Sequence, residues 1–314
     1  MNKWIILIAI TFMLTGCNEK SAPNASKPTA TAIPKETTSV TPAPTAPSAE
    51  PIPVTSELLD TNKLPNTFGF ANNEGNRIIT VASQQEQTDQ EGNVSGELKE
   101  QLTKAIGEQG QILTIRYVKH QARSEKDNGR QAAHNFDNLE GDLYEVIEGT
   151  AVANDSYYLI NETSFNLNSL IKINPSEPQE PQTAIADKIS KSKNRAITHS
   201  WLLATTDKNQ QIFLVQFERQ EDQMLASLVL YDGVQMVFMD YPATYDANST
   251  WRVDDQGEVI PEMFSFLFAA ASSDGIVIAV KWMGAEGENI TVLKQSGQRF
   301  VETSIESGRY LSPI

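Results

Sequence analysis

The densest run of side chains able to do chemistry lies between residues 218 and 262. It holds ten acids, Glu218, Glu221, Asp222, Asp232, Asp240, Asp246, Asp254, Asp255, Glu258 and Glu262, opposed only by Arg219 and Arg252. Inside it runs DYPATYDANSTWRVDDQGE, the longest connection of the C-terminal half. Asp246-Ala247-Asn248-Ser249-Thr250 alternates oxygen donors as a calcium loop does, and Asp254 and Asp255 extend the candidate set to Asp246, Asn248, Asp254 and Asp255. Hard oxygen donors suit Ca²⁺, and a weak site is useful where calcium is millimolar. An EF-hand is excluded, because Trp251 stands where that loop needs Gly and Gly257 where it needs a bidentate Glu. The same carboxylates offer a second chemistry: a pair drawn from Asp240, Asp246, Asp254 and Asp255 could work as acid and base in a hydrolase without any short motif. A third is binding. Tyr245 and Trp251 present aromatic faces, and the flanking acids accept hydrogen bonds from sugar hydroxyls, so the loop is a candidate ligand rim. An acidic, solvated β-connection with aromatic residues covering the core has the same composition.

Other signals are weaker. No Walker A loop, dinucleotide glycine fingerprint, HExxH pair or GxSxG elbow occurs. Ser190-Lys191-Ser192-Lys193 has the S-x-x-K spacing of penicillin-interacting serine enzymes, but no S-D-N or K-T-G follows, and a solvated basic segment reads the same way. His120, His134 and His199 share no metal-ligand spacing, and His199 beside Trp201 reads as a partly buried structural residue. No cofactor is expected beyond weak calcium, and no catalytic residue is assigned.

The elements that would position these residues are mainly β-strands. From Ile197 the chain reads as ITHSWLLAT, QIFLVQFER, MLASLVLY, VQMVFMDY, MFSFLFAAAS, IVIAVKWM, NITVLKQ and RFVETSI, joined by turn signals such as Asp232-Gly233 and Ser296-Gly297. An antiparallel meander of eight strands is expected over 196–314, as a sandwich or barrel. MFSFLFAAA and IVIAVKW are apolar on both faces and call for cover on both sides. Residues 57–173 read as a smaller mixed α+β region. It has strands at Arg77–Ser83, Gln111–Lys119, Leu143–Val152, Tyr157–Ile160 and Phe165–Ile173, and a polar loop over 121–141. It also has one clear helix near 95–107, capped by Ser95 and carrying Leu98, Leu102, Ala105 and Ile106 on one face. Residues 174–195 form the connector. Three prolines in NPSEPQEPQ exclude regular structure, and a short helix over 184–190 and a basic stretch follow.

The N-terminus supplies an address. Lys3 precedes Trp4–Leu14, an apolar run of eleven residues interrupted only by Thr11. It is too short to span a bilayer, which takes about 20 residues, and it fits the core of a secretory signal peptide. Leu14-Thr15-Gly16-Cys17 resembles the lipobox of bacterial lipoproteins. The resemblance implies diacylglyceryl transfer to the Cys17 sulfur and cleavage before it, leaving 1–16 as signal peptide. Cys17 is the only cysteine, so an acylated chain has neither a free thiol nor a disulfide. Residues 18–56 hold 8 of the 15 prolines, and Pro, Thr, Ala and Ser make up 27 of these 39 positions. Such a segment buries too little to offset its ordering entropy, and 17–56 reads as a lipidated, disordered stalk.

Loss of Lys3 takes the formal charge from −15 to −16. That argues against nucleic acid as a partner, since its phosphates would be repelled. The combined expectation is an extracytoplasmic lipoprotein on the cell membrane or outer envelope, held by N-terminal lipid. Its non-catalytic β-rich body would bind a protein, glycan or cell-wall ligand or serve a structural role. An exported carboxylate-dependent hydrolase and a calcium-dependent module are the alternatives.

Overall fold

The computed structural model describes residues 58–80 and 96–312. Cys17, the lipobox, the proline-rich stalk and Ser95 lie outside the described residues, as does the Val81–Ser83 end of the first predicted strand. The fold is mainly β, with a barrel-like antiparallel sheet in the C-terminal half, as the strand pattern predicts.

The N-terminal region is a closed six-stranded barrel. Its strands are β1 (Phe68–Ala71), β2 (Arg77–Thr80), β3 (Lys104–Ile106), β4 (Ile112–Gln121), β5 (Gly141–Glu148) and β6 (Ser156–Ile160), in the order β1-β2-β5-β4-β3-β6. So few strands leave an interior that side chains fill, here Ile78, Leu113, Ile115, Tyr144, Tyr157 and Leu159. The walls approach closely: a Cβ on Gly141 would lie 1.9 Å from the Thr80 carbonyl oxygen, so only glycine fits there.

The helix expected near 95–107 is corrected. Helix α1 covers only Gly96–Gln101, leaves Leu98 exposed, and gives way to β3. Ala105 points into the small barrel and Ile106 to the opposite face, against the large sheet. Burial on both faces suits a strand, whereas a helix would place the two residues on one stripe. The polar loop after β4 is also more ordered than expected. It contains a 3-10 turn, Ala133–Asn138, whose Phe136 packs edge-on to Phe70 at 5.8 Å.

The large sheet has ten strands: β7 (Leu170–Ile171), β8 (Ile173–Gln179), β9 (Ile197–Thr206), β10 (Gln211–Phe217), β11 (Gln223–Tyr231), β12 (Met236–Thr244), β13 (Phe264–Ser272), β14 (Gly275–Met283), β15 (Gly287–Ser296) and β16 (Arg299–Tyr310). All eight strands expected after residue 196 are present, but they do not form a single meander. The order is β7-β13-β14-β15-β16-β12-β11-β10-β9-β8: two four-stranded meanders joined where β12 meets β16 in parallel at Phe238 and Arg299. The end strands β7 and β8 are separated by Lys172 alone and pair with β13 and β9, which brings the sheet round on itself. β8 overturns the expectation that NPSEPQEPQ lacks regular structure. It is an end strand with an irregularity between Pro175 and Gln179, where missing N–H groups are tolerated.

Every strand of this sheet contributes to one core, from Ile171 and Ile173 through Leu214, Leu228, Val237, Phe266, Ile278 and Leu293 to Phe300. The outer faces are covered too. Helix α2 (Thr183–Lys193) sets Ile185 and Ile189 on Phe213, Val215, Val229 and Phe238. The small barrel sets Phe68, Ile106, Tyr158 and Ile160 on Phe268, Val277, Ala279, Ile290 and Val292. This two-sided burial is what the continuous apolar runs of β13 and β14 demand. Among the described residues, no helix is long and apolar enough to cross a membrane.

Phe268 sits at the centre of the seam, stacked on Tyr158 at 5.4 Å and edge-on to Phe165 at 5.3 Å. Truncation to Ala should cost about 3–5 kcal/mol, read as a lower urea midpoint with unchanged slope. A loss below about 1 kcal/mol would show that the seam packs less tightly than its geometry implies.

Candidate functional site

Strand direction divides the large barrel into two ends. The β9–β10, β11–β12, β13–β14 and β15–β16 turns lie at one end, and here the body begins: Leu59 forms a parallel bridge to Ser272, donating its N–H to the Ala271 oxygen at 2.7 Å. This is the root end. At the other, the loop end, lie the β10–β11 turn, the 245–263 connection, the Met283–Gly287 turn and the end of β16 at Tyr310. Strands β12 and β13 are not neighbours, so the 245–263 connection reaches across this end instead of turning at its edge.

Asp255 organises that connection. Its two carboxylate oxygens accept N–H bonds from Thr250 (2.8 Å), Trp251 (2.6 Å), Arg252 (2.7 Å) and Gly257 (3.0 Å). Burial would raise its pKa, but the four amides outweigh burial and hold it below the ordinary aspartate value. Asp246 makes a second, exposed turn. Its Oδ1 accepts from the amides of Asn248 at 2.7 Å and Ser249 at 3.0 Å, and these lower its pKa. Gln216 of β10 fastens the loop from beneath, donating to the Gly257 oxygen at 2.9 Å and accepting from the Val259 amide at 3.0 Å. Trp251 donates Nε1 to the Tyr241 oxygen at 2.8 Å and packs on the barrel core.

The candidate residues thus occupy varied settings. Asp246, Asn248, Asp254 and Asp255 share one loop; the Asn248 carbonyl accepts from Gln256, and the Asp254 amide donates to Ser249 Oγ at 3.2 Å. Among the described residues, no group of three or more His, Cys, Asp or Glu is gathered as a metal ion requires. Asp240 is engaged by Lys193 Nζ and Ser227 Oγ, each at 2.6 Å. Tyr245 is exposed, with the Arg219 guanidinium 4.1 Å above its ring. Ser190 on α2 donates to the oxygen of Arg195, beyond the helix end, so both ends of the S-x-x-K spacing have structural partners. His120 pairs with Asp142 at 3.0 Å, His134 is 3.4 Å from Asn128 Nδ2, and His199 is exposed, stacked on Trp201 at 5.6 Å.

The loop end also holds a cleft of about 260 Å³, lined by Trp251–Val253, the Gly284–Gly287 turn, Asn289, Arg309 and Tyr310. Of these, sequence reasoning singled out only Trp251. Two glycines in Gly284-Ala285-Glu286-Gly287 mark a turn, but nothing local brings that turn to residues 251–253.

Behind the cleft the barrel seam is charged. Arg309 donates Nε to Glu288 Oε1 at 2.8 Å, Nη2 to the Asn154 oxygen at 2.8 Å and Nη1 to the Gln131 oxygen at 3.2 Å. Ser156 also bonds Glu288, while Lys281 pairs with Asp155 at 2.7 Å and with Glu108. Burial would raise the Glu288 pKa; Arg309, then Lys281 and Ser156, overcome it and keep Glu288 ionised. Burial would likewise lower the Lys281 pKa, and Glu288 and Asp155 outweigh it, so the ammonium is retained.

Asp255→Asn replaces an acceptor for four amides with a group that also carries donors. It should cost about 2–3 kcal/mol, seen as a lower melting midpoint and a red-shifted tryptophan emission as Trp251 loosens. Because its folded pKa is depressed, the parent has the full contribution of Asp255 above the ordinary value of 3.8 and loses it as pH falls through the folded value. The variant lacks this loss, so the stability gap must narrow in acid; a gap constant down to pH 2 would overturn the assignment.

Compared with family models, with curated proteins and with solved structures, the chain matches none.

Proposed function

We propose that this chain is an exported lipoprotein, fixed to a membrane by lipid on Cys17 and raised from it by residues 18–56, with a non-catalytic β-rich binding or structural body. The observation that carries the reading is the position of the root. Leu59 joins the body at the Ser272–Gly275 end, while the 245–263 connection and the cleft occupy the opposite end. Support for a binding role over a carboxylate hydrolase comes from the side chains. A general acid needs a raised pKa, whereas Asp255 is depressed by four amides and Asp240 is held by Lys193 and Ser227. The occupant of the loop end would be a protein, a glycan or a wall component.

The test is fatty-acid labelling of the full chain in a bacterial host. The parent should incorporate labelled palmitate and sediment with membranes. Cys17→Ala should do neither, while its body melts at the parental midpoint because residue 17 lies far from the folded core in sequence. Label retained by Cys17→Ala would refute the anchor.

A further inference from the structure

Two arginines line the loop-end cleft, and only one is matched by a carboxylate. Arg309 is neutralised by Glu288. Arg252 makes no ion pair among the described residues. Its Nη2 donates to the Gly287 oxygen at 3.0 Å. With the Asn289 amide turned oxygen-inward, as its hydrogen bonds require, Nη1 donates to Asn289 at 3.0 Å. A guanidinium carries five N–H groups, so three find no acceptor among the described residues. Arg252 Nε has no acceptor and yet is not among the buried side-chain atoms without a partner in the described residues, and the side chain lines the cleft, so solvent reaches the guanidinium there.

The guanidinium is also held in place. It lies against Gly284, where a Cβ would come within 2.6 Å of Nε and 2.7 Å of Nη2, and 5.8 Å from the Trp282 ring centroid. The Asp255 clamp fixes the Arg252 backbone through its amide. A planar guanidinium, pre-positioned in the wall of a cleft and unmatched by a carboxylate among the described residues, is the complement of a carboxylate ligand.

We propose that the loop-end cleft binds a small carboxylate ligand, with Arg252 as its anchor. The inference deepens the binding-module reading and rests on it. The cleft volume suits a ligand the size of one sugar acid or one amino-acid residue. Glu286, exposed beside Arg252, accepts hydroxyl or amide N–H groups on the same ligand. A single guanidinium balances one charge, and with Glu286 close by, a doubly charged phosphate is repelled more than a monoanion. Trp251 and Tyr310 supply apolar wall for the remainder.

The test is isothermal titration of the full chain in detergent with glucuronate, N-acetylalanine, glucose and inorganic phosphate. At least one carboxylate should bind saturably at one site per chain; glucuronate alone identifies a sugar acid, N-acetylalanine alone a peptide carboxylate. Glucose should give no saturable heat. Arg252→Gln should weaken carboxylate binding at least tenfold, and Gly284→Ala, which displaces the guanidinium without removing its charge, should do the same, both with melts checked for folding. No saturable carboxylate binding, undiminished binding by a folded Arg252→Gln, or phosphate bound more tightly than both carboxylates would overturn the proposal. Palmitate labelling is independent of these heats, so failure of the cleft and failure of the anchor are separately visible.

Discussion

The ion pair of Glu288 and Arg309 is the constraint on which the arrangement of the two barrels depends. Strands β13 and β14 are apolar on both faces, so a second layer must cover the outer one. Apolar contact alone is non-directional and would let the small barrel slide. Glu288 and Arg309 face each other across β15 and β16, and the remaining Arg309 donors reach the backbone oxygens of Gln131 and Asn154 in the small barrel. A buried pair contributes little net stability once desolvation is counted. Here it restricts the seam to the register in which those oxygens meet the guanidinium. Among the described residues Glu288 Oε2 has no hydrogen-bond partner, and the carboxylate stays ionised through Arg309, Lys281 and Ser156.

The loop end inherits its shape from that seam. Tyr310 follows Arg309, and its backbone is fastened to Gln131 by an N–H bond in each direction, at 2.9 and 3.1 Å. The Leu311 and Ser312 amides then bind the Glu286 oxygen, setting the Gly284–Gly287 turn. That turn receives Arg252, whose backbone is set independently by Asp255. One wall of the cleft therefore depends on the seam, and the other on the carboxylate clamp.

Much of the large barrel was legible in the sequence because strand alternation and Asp-Gly or Ser-Gly turns are local signals. The eight strands after residue 196 and the two-sided burial of MFSFLFAAA and IVIAVKW follow from them. Pairing order does not: nothing near Phe238 announces a parallel partner at Arg299. The 95–107 segment misled because Leu98, Leu102, Ala105 and Ile106 fit a helical stripe, while the tertiary fold needed Ala105 and Ile106 on opposite faces. The prolines of 174–179 misled because an end strand tolerates residues without N–H groups. In the candidate site, the acidity of 240–258 was visible, but the amide partners of Asp246 and Asp255 were not, since backbone donors leave no mark in composition. The cleft was beyond reach, because residues 251–253, 284–289 and 309–310 meet only through the fold.

The acidic loop changes meaning once its hydrogen bonds are known. A carboxylate waiting for a metal or a proton would stand free; Asp255 instead shapes its own connection, gathering four amides and turning Arg252 toward the cleft. Ordering a loop on binding costs free energy that a preformed rim does not incur. Residues 245–258, tied by Asp246, Asp255 and Gln216 before any partner arrives, form such a rim. The root on the opposite end complements it. Rim and root thus occupy different surfaces of the body, and each is fixed by its own backbone hydrogen bonds.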